Sequence, residues 1–158
     1  MSARRTRMRV VLLYFLVALS LQVAPLPEGM APWRPPLLAL TVIYWSMYQP
    51  GRFGVGVSWL LGLVQDVLQG AILGQHALTL AITAYITIKL CQRLRVFPIW
   101  HQTVAVGIIV GIHEFLNYWI DGMTEGVAGG LLELAPIASA LLVWPLMSGF
   151  SNRLLARG

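Results

Sequence analysis

Lys89-Leu90-Cys91-Gln92-Arg93-Leu94-Arg95-Val96-Phe97-Pro98 separates two long apolar runs, and it carries three positive charges. Lysine and arginine are retained on the cytoplasmic side of membrane helices. The stretch is therefore expected to be cytoplasmic, with Cys91 to Pro98 as the basic loop between a fourth and a fifth span. The same rule then orders the rest of the chain. Arg4, Arg5, Arg7 and Arg9 precede the first apolar run, Arg52 lies between the second and third, and Arg153 and Arg157 follow the last. Of the 11 basic residues, only Arg34 falls on the other side. The acids lie opposite. Glu28, Asp121 and Glu125 occupy the external loops, and Asp66, Glu114 and Glu133 lie in spans toward that end. Six spans with both termini cytoplasmic satisfy this pattern. A re-entrant hairpin in place of a short span would strand Arg52 or the Lys89–Arg95 group outside.

The expected spans are about 8–24, 34–48, 53–69, 75–90, 99–120 and 131–150, as one integral membrane domain over 1–158. A span needs about 20 apolar residues, so the second and fourth are short. Pro25, Pro27, Gly29 and Pro32 predict an irregular external loop, and Pro50-Gly51-Arg52 a tight cytoplasmic turn. Gly70-Ala71-Ile72-Leu73-Gly74 is too apolar for a solvated loop. Pro136 and Pro145 predict kinks in the last span. The run Val10 to Leu21 resembles a signal peptide. It lacks a small-residue cleavage site and is read as an uncleaved first span.

Composition supports a membrane protein. Of 158 residues, 58% are hydrophobic and 11% charged, against roughly 25% charged in soluble domains. The net charge of +5 is spread over short loops and tails, which suits anionic lipid and insertion bias better than nucleic acid. Cys91 is the one cysteine, so an internal disulfide and a cysteine metal cluster are excluded.

Ionisable groups inside spans are costly and mark candidate sites. Gln65, Asp66 and Gln69 share one turn of the third span. Glu114, Asn117, Tyr118 and Asp121 form one polar stripe on the fifth, with His113 at its edge, and His76 opens the fourth. Asp66, Gln69, His76, His113, Glu114 and Asn117 are thus candidates to line an outward polar pocket for a solute, a lipid headgroup or a partner side chain. The plainer reading is hydrogen bonding between helices, or carboxylates resting at headgroup level. No Gly-x-Ser-x-Gly, His-Glu-x-x-His or phosphate loop is present, and Ser58, Ser139 and Ser148 lack a histidine setting. No catalytic, cofactor-binding or metal-binding residue is assigned. Gly54, Ser58 and Gly62, and Gly107 with Gly111, are small residues at four-residue steps, expected to let helices approach closely in lipid. The neighbour could lie in this chain or another. Tyr44-Trp45 lies deep enough to face a partner helix.

Arg34-Pro35, Tyr44-Trp45, Pro50, Arg52, Gly62-x-x-x-Asp66, Gly70-x-x-x-Gly74 and Ala77-Leu78 together resemble the MreD family of rod shape-determining membrane proteins. Ala84-Tyr85, Trp100 with Gln102, and Trp144-Pro145 before a basic C-terminus extend the resemblance. It implies an inner-membrane component of the bacterial elongation machinery for side-wall peptidoglycan. It implies as partners a MreC-like single-span protein, a RodA-type glycosyltransferase with its transpeptidase, and a MreB-type filament, alongside membrane lipids and no nucleic acid. It also implies an all-α, six-helix membrane fold similar to the substrate-binding components of vitamin transporters. No cofactor and no catalytic residue come with it. A non-enzymatic scaffold is the leading expectation; a solute- or lipid-binding component is the alternative.

Overall fold

The computed structural model describes residues 8–27, 29–124, 130 and 134–157. Arg4, Arg5, Arg7, Glu28, Glu125, Gly126 and Glu133 lie outside the described residues. Those described form six α-helices and one 3-10 turn, with no strand among them. The helices are α1 (Met8–Val23), α2 (Leu37–Tyr48), α3 (Val55–Gln69), α4 (Gln75–Val96), α5 (Ile99–Thr124) and α6 (Ala135–Arg157).

Helix α2 is the axis. Every residue from Leu38 to Met47 is buried, so it has no outward face. It packs against α1, α4, α5 and α6. Around it run the contacts α1–α3, α3–α4, α4–α5 and α5–α6, and the Ser151 hydroxyl closes the ring by donating to the Tyr14 oxygen at 2.9 Å. Tyr44 and Trp45 face helices of their own chain. Trp45 meets Tyr14 and Phe53 edge-on or tilted, and Tyr44 meets Trp144. Offset and edge-on ring pairs are the favoured aromatic geometries. The Tyr44 hydroxyl donates to Asn152 Oδ1 at 2.9 Å, which ties the end of α6 to α2.

Helix ends leave carbonyls and amides unpaired, and long side chains satisfy several here. The Arg34 guanidinium donates to the carbonyls of Gln22 and Ala24 at the C-terminal end of α1. The one basic residue on the unexpected side is thus held as a clasp. Gln22 Oε1 accepts the Leu37 amide at 3.0 Å. At the other end, Arg95 Nε donates to the Met47 carbonyl at 2.6 Å, and Gln102 Nε2 to that of Leu94 at 3.1 Å.

Two expectations are corrected. Cys91 to Pro98 is not a loop, because α4 continues to Val96. No breaker precedes Pro98, Cys91 and Leu94 are buried, and Arg93 and Arg95 suit the negative end of the helix dipole. Pro98 then forces Phe97 extended, at ψ 141°. In α6, only Pro145 lies in the helix interior. Pro136 falls in the first turn, where proline is tolerated, and the helix runs on past residue 150 to Arg157.

Polar side chains join the apolar core, and large apolar ones stand outward. Thr41, Ser46, Gln65, Asp66, Thr79, Thr83, Thr87, His113 and Asn117 are buried, while Leu13, Leu16, Leu60, Val67, Ile108, Phe115, Leu142 and Leu146 stand outward. Soluble monomers rarely expose apolar patches beyond a few hundred Å². By length and composition, α5 alone among the described residues is a candidate to cross a membrane, and α1 and α3 are shorter apolar helices. Helix α2 has only 12 residues, and α4 is diluted by threonine and glutamine.

Candidate functional site

The chain between α3 and α4 turns back on itself through two glycines. Gly70 has φ +66° and Gly74 φ +101°, conformations that side chains with a Cβ rarely adopt. Gly70 closes α3 as its left-handed cap, with its amide on the Asp66 carbonyl. The turn brings the first residues of α4 alongside the last turns of α3. Gly62 makes that approach possible. A Cβ there would lie 2.3 Å from Ala77 Cα, 2.5 Å from Ala77 N and 2.5 Å from the His76 carbonyl oxygen.

Asp66 sits one turn further along α3 and is 0% exposed. Its Oδ2 accepts the amides of Gly74 at 2.8 Å and Ala77 at 3.4 Å. Its Oδ1 accepts the His76 amide at 2.9 Å and His76 Nδ1 at 2.9 Å. A carboxylate only accepts, so His76 Nδ1 carries a proton. A helix from elsewhere in the chain thus supplies the anion for the positive end of α4. The buried charge is paired and fully hydrogen-bonded, as burial demands.

A second polar seam follows α4 inward. The hydroxyls of Thr79, Thr83 and Thr87 donate to the carbonyls of His76, Thr79 and Thr83 at 3.2, 2.7 and 2.7 Å. The Thr83 proton is therefore committed. His113 Nδ1, 3.2 Å from the Thr83 oxygen, must be the donor of that pair. His113 Nε2 is then a lone-pair acceptor and receives Asn117 Nδ2 at 3.2 Å. Direction passes along the chain and fixes the amide, so Asn117 Oδ1 points away from His113. At the end of this seam, Gln75 Nε2 donates to Asp121 Oδ1 at 2.6 Å.

The six predicted pocket residues thus fall in two places joined by α4. Asp66 and His76 meet at the α3–α4 junction, and His113 and Asn117 meet between α4 and α5. Gln69 is exposed and accepts a 3.3 Å bond from Gln65. Glu114 is half-buried and makes no hydrogen bond among the described residues. The small residues also separate. Gly62 faces α4, and Gly107 and Gly111 face Leu141 and Ile137 of α6, so all three serve packing inside this chain. Gly54 has only the Pro50 oxygen near, at 3.9 Å. Ser58 is buried and returns its hydroxyl to the Gly54 carbonyl at 3.1 Å. Sequence reasoning missed the threonine ladder, although its four-residue spacing is visible, and missed the Gln75–Asp121 pair, which has no sequence signal.

The pattern that defines rod shape-determining protein MreD matches residues 2–154. The chain is 35% identical over 136 residues to "Rod shape-determining protein MreD" of Haemophilus influenzae, covering 85% of this chain and 83% of that protein. No solved structure matches it. On these two matches, the chain belongs to the MreD family of rod shape-determining membrane proteins.

Proposed function

We propose that this chain is a non-enzymatic scaffold of the elongation complex in the bacterial inner membrane. It crosses the membrane six times as a single domain, with both termini cytoplasmic, in an arrangement similar to the substrate-binding components of vitamin transporters. It holds the transmembrane helix of a MreC-like protein. It thereby supports a RodA-type glycosyltransferase, its transpeptidase and a MreB-type filament during side-wall peptidoglycan synthesis.

The observation that carries this reading is the outward face of α5. Val104, Ile108, Ile112, Phe115 and Trp119 are all exposed, at steps of four, four, three and four. They form one apolar stripe along the helix, the pattern by which one helix receives another. The core behind it is occupied by the chain's own helices. A photo-crosslinking residue at Phe115 or Trp119 in native membranes should capture the MreC-like protein. Absence of any protein adduct from both positions, in cells that keep rod shape, would remove the scaffold reading.

Topology has its own test. Single cysteines at Arg52 and Arg93 should be labelled only from the cytoplasm, and those at Met30 and Thr124 only from the periplasm. External labelling at Arg93 would defeat the six-span arrangement, since Arg93 flanks the α4–α5 corner that the charge rule places inside.

A further inference from the structure

The buried polar groups of the chain are paired with three exceptions among the described residues. These are the indole N–H groups of Trp45 and Trp144, and Asn117 Oδ1. The two indoles lie in the aromatic core. Asn117 is different, because charged groups flank it. It is 9% exposed, and Glu114 and Asp121 stand three residues before and four after it on one helix face.

We propose that this face of α5 binds the primary ammonium of a phospholipid headgroup, with Glu114 and Asn117 as the acceptors and Asp121 at the mouth. The inference rests on the membrane-spanning reading above and not on any protein partner.

Two features converge on that chemistry. First, the unused atoms at Glu114, Asn117 and Asp121 are all acceptors. Asn117 Oδ1 cannot be exchanged for the amide nitrogen, since the proton of Thr83 is spent on Thr79 and His113 Nε2 must receive Asn117 Nδ2. Glu114 makes no hydrogen bond among the described residues, and Asp121 uses only Oδ1, on Gln75. Second, two carboxylates stand here without a cation. The one ion pair among the described residues is His76 with Asp66. A ligand that brings positive charge and N–H donors together satisfies all of these groups. A metal ion does not, because no group of three His, Cys, Asp or Glu that could hold one occurs among the described residues, and hard cations want six or more oxygens. Asp121 is exposed where a headgroup would enter, while the apolar stripe of Ile112, Phe115 and Trp119 lies on the far side of the helix and stays free for the partner helix.

The full chain, purified in detergent and stripped of lipid, is titrated with dioleoylphosphatidylethanolamine and watched by native mass spectrometry. Dioleoylphosphatidylcholine carries the same charge without an N–H, dioleoylphosphatidylglycerol lacks the ammonium, and free ethanolamine lacks the lipid. The ethanolamine lipid should bind about tenfold tighter than either other lipid, the scale of one charge-assisted hydrogen bond. Glu114→Gln should remove that preference while leaving thermal unfolding unchanged. Equal binding of the choline lipid, or a preference that survives Glu114→Gln, overturns the proposal. Free ethanolamine binding as tightly as the lipid overturns the lipid as its source. If Glu114→Gln does not fold, Asp121→Asn at the exposed rim takes its place under the same criterion. Either result leaves the photo-crosslinking test of the scaffold standing.

Discussion

Asp66→Asn should destabilise the protein by about 3 kcal/mol, the upper range for leaving buried polar groups unpaired. Both oxygens of the carboxylate accept backbone amides of α4, and Oδ1 also accepts His76 Nδ1. In asparagine, one oxygen becomes an NH2 that must face an N–H donor, whichever way the amide is turned. The negative charge at the α4 N-terminus is lost as well. If Asp66 only bridged helices, asparagine would be tolerated, because an amide also bonds across helices. His76→Ala should cost less, since three backbone amides would still hold the carboxylate. Thermal unfolding in detergent and the amount of protein in the membrane would measure both variants. Wild-type stability of Asp66→Asn would show that Asp66 does not cap α4.

Gly62→Leu should prevent stable folding, and Gly62→Ala should already cost about 3 kcal/mol, the upper range for overpacking. The atoms in the way are Ala77 Cα, Ala77 N and the His76 carbonyl. They are backbone, so no rotamer change can relieve them. Gly107→Ala is the control. Its Cβ would meet Leu141 Cδ2 at 2.5 Å, but that is the tip of a leucine 37% exposed, which can swing outward. Its cost should stay below about 1 kcal/mol. Equal loss in the two alanine variants, read by denaturant unfolding in mixed micelles, would mean that the α3–α4 approach is not specially tight.

The helix count and element order could be read from the sequence because charge and apolar runs are local signals. Helix ends could not be read as well. Charge alone cut α4 at Leu90, whereas nearly two further turns of helical contacts and the nearest proline decided where it stopped. The pocket residues were recognisable as unusual because ionisable groups stand out against an apolar background. Their grouping was not recognisable. Asp66 meets His76 only because Gly62, Gly70 and Gly74 fold α3 back along α4, and spacing along one helix says nothing of that return. Gly54, Ser58 and Gly62 look equivalent in sequence, yet of the two glycines only Gly62 has the backbone of another helix pressed against it. Thr79, Thr83 and Thr87 were passed over because threonine in a span is unremarkable until its proton is followed.

The burial of α2 on every side has a consequence for how the chain is made. At about 1.5 Å per residue, its 12 residues span about 18 Å, well short of the roughly 30 Å of hydrocarbon in a bilayer. It is the second helix synthesised, but α4, α5 and α6, which cover it, come later. A half-made chain therefore has a short helix that lipid alone cannot house. Its ribosome is expected to hold α2 at the insertion channel, or α2 to wait at the bilayer surface, until the C-terminal half arrives. Truncation after α3 should then leave α2 untranslocated, so that the order of birth and the order of burial run in opposite directions.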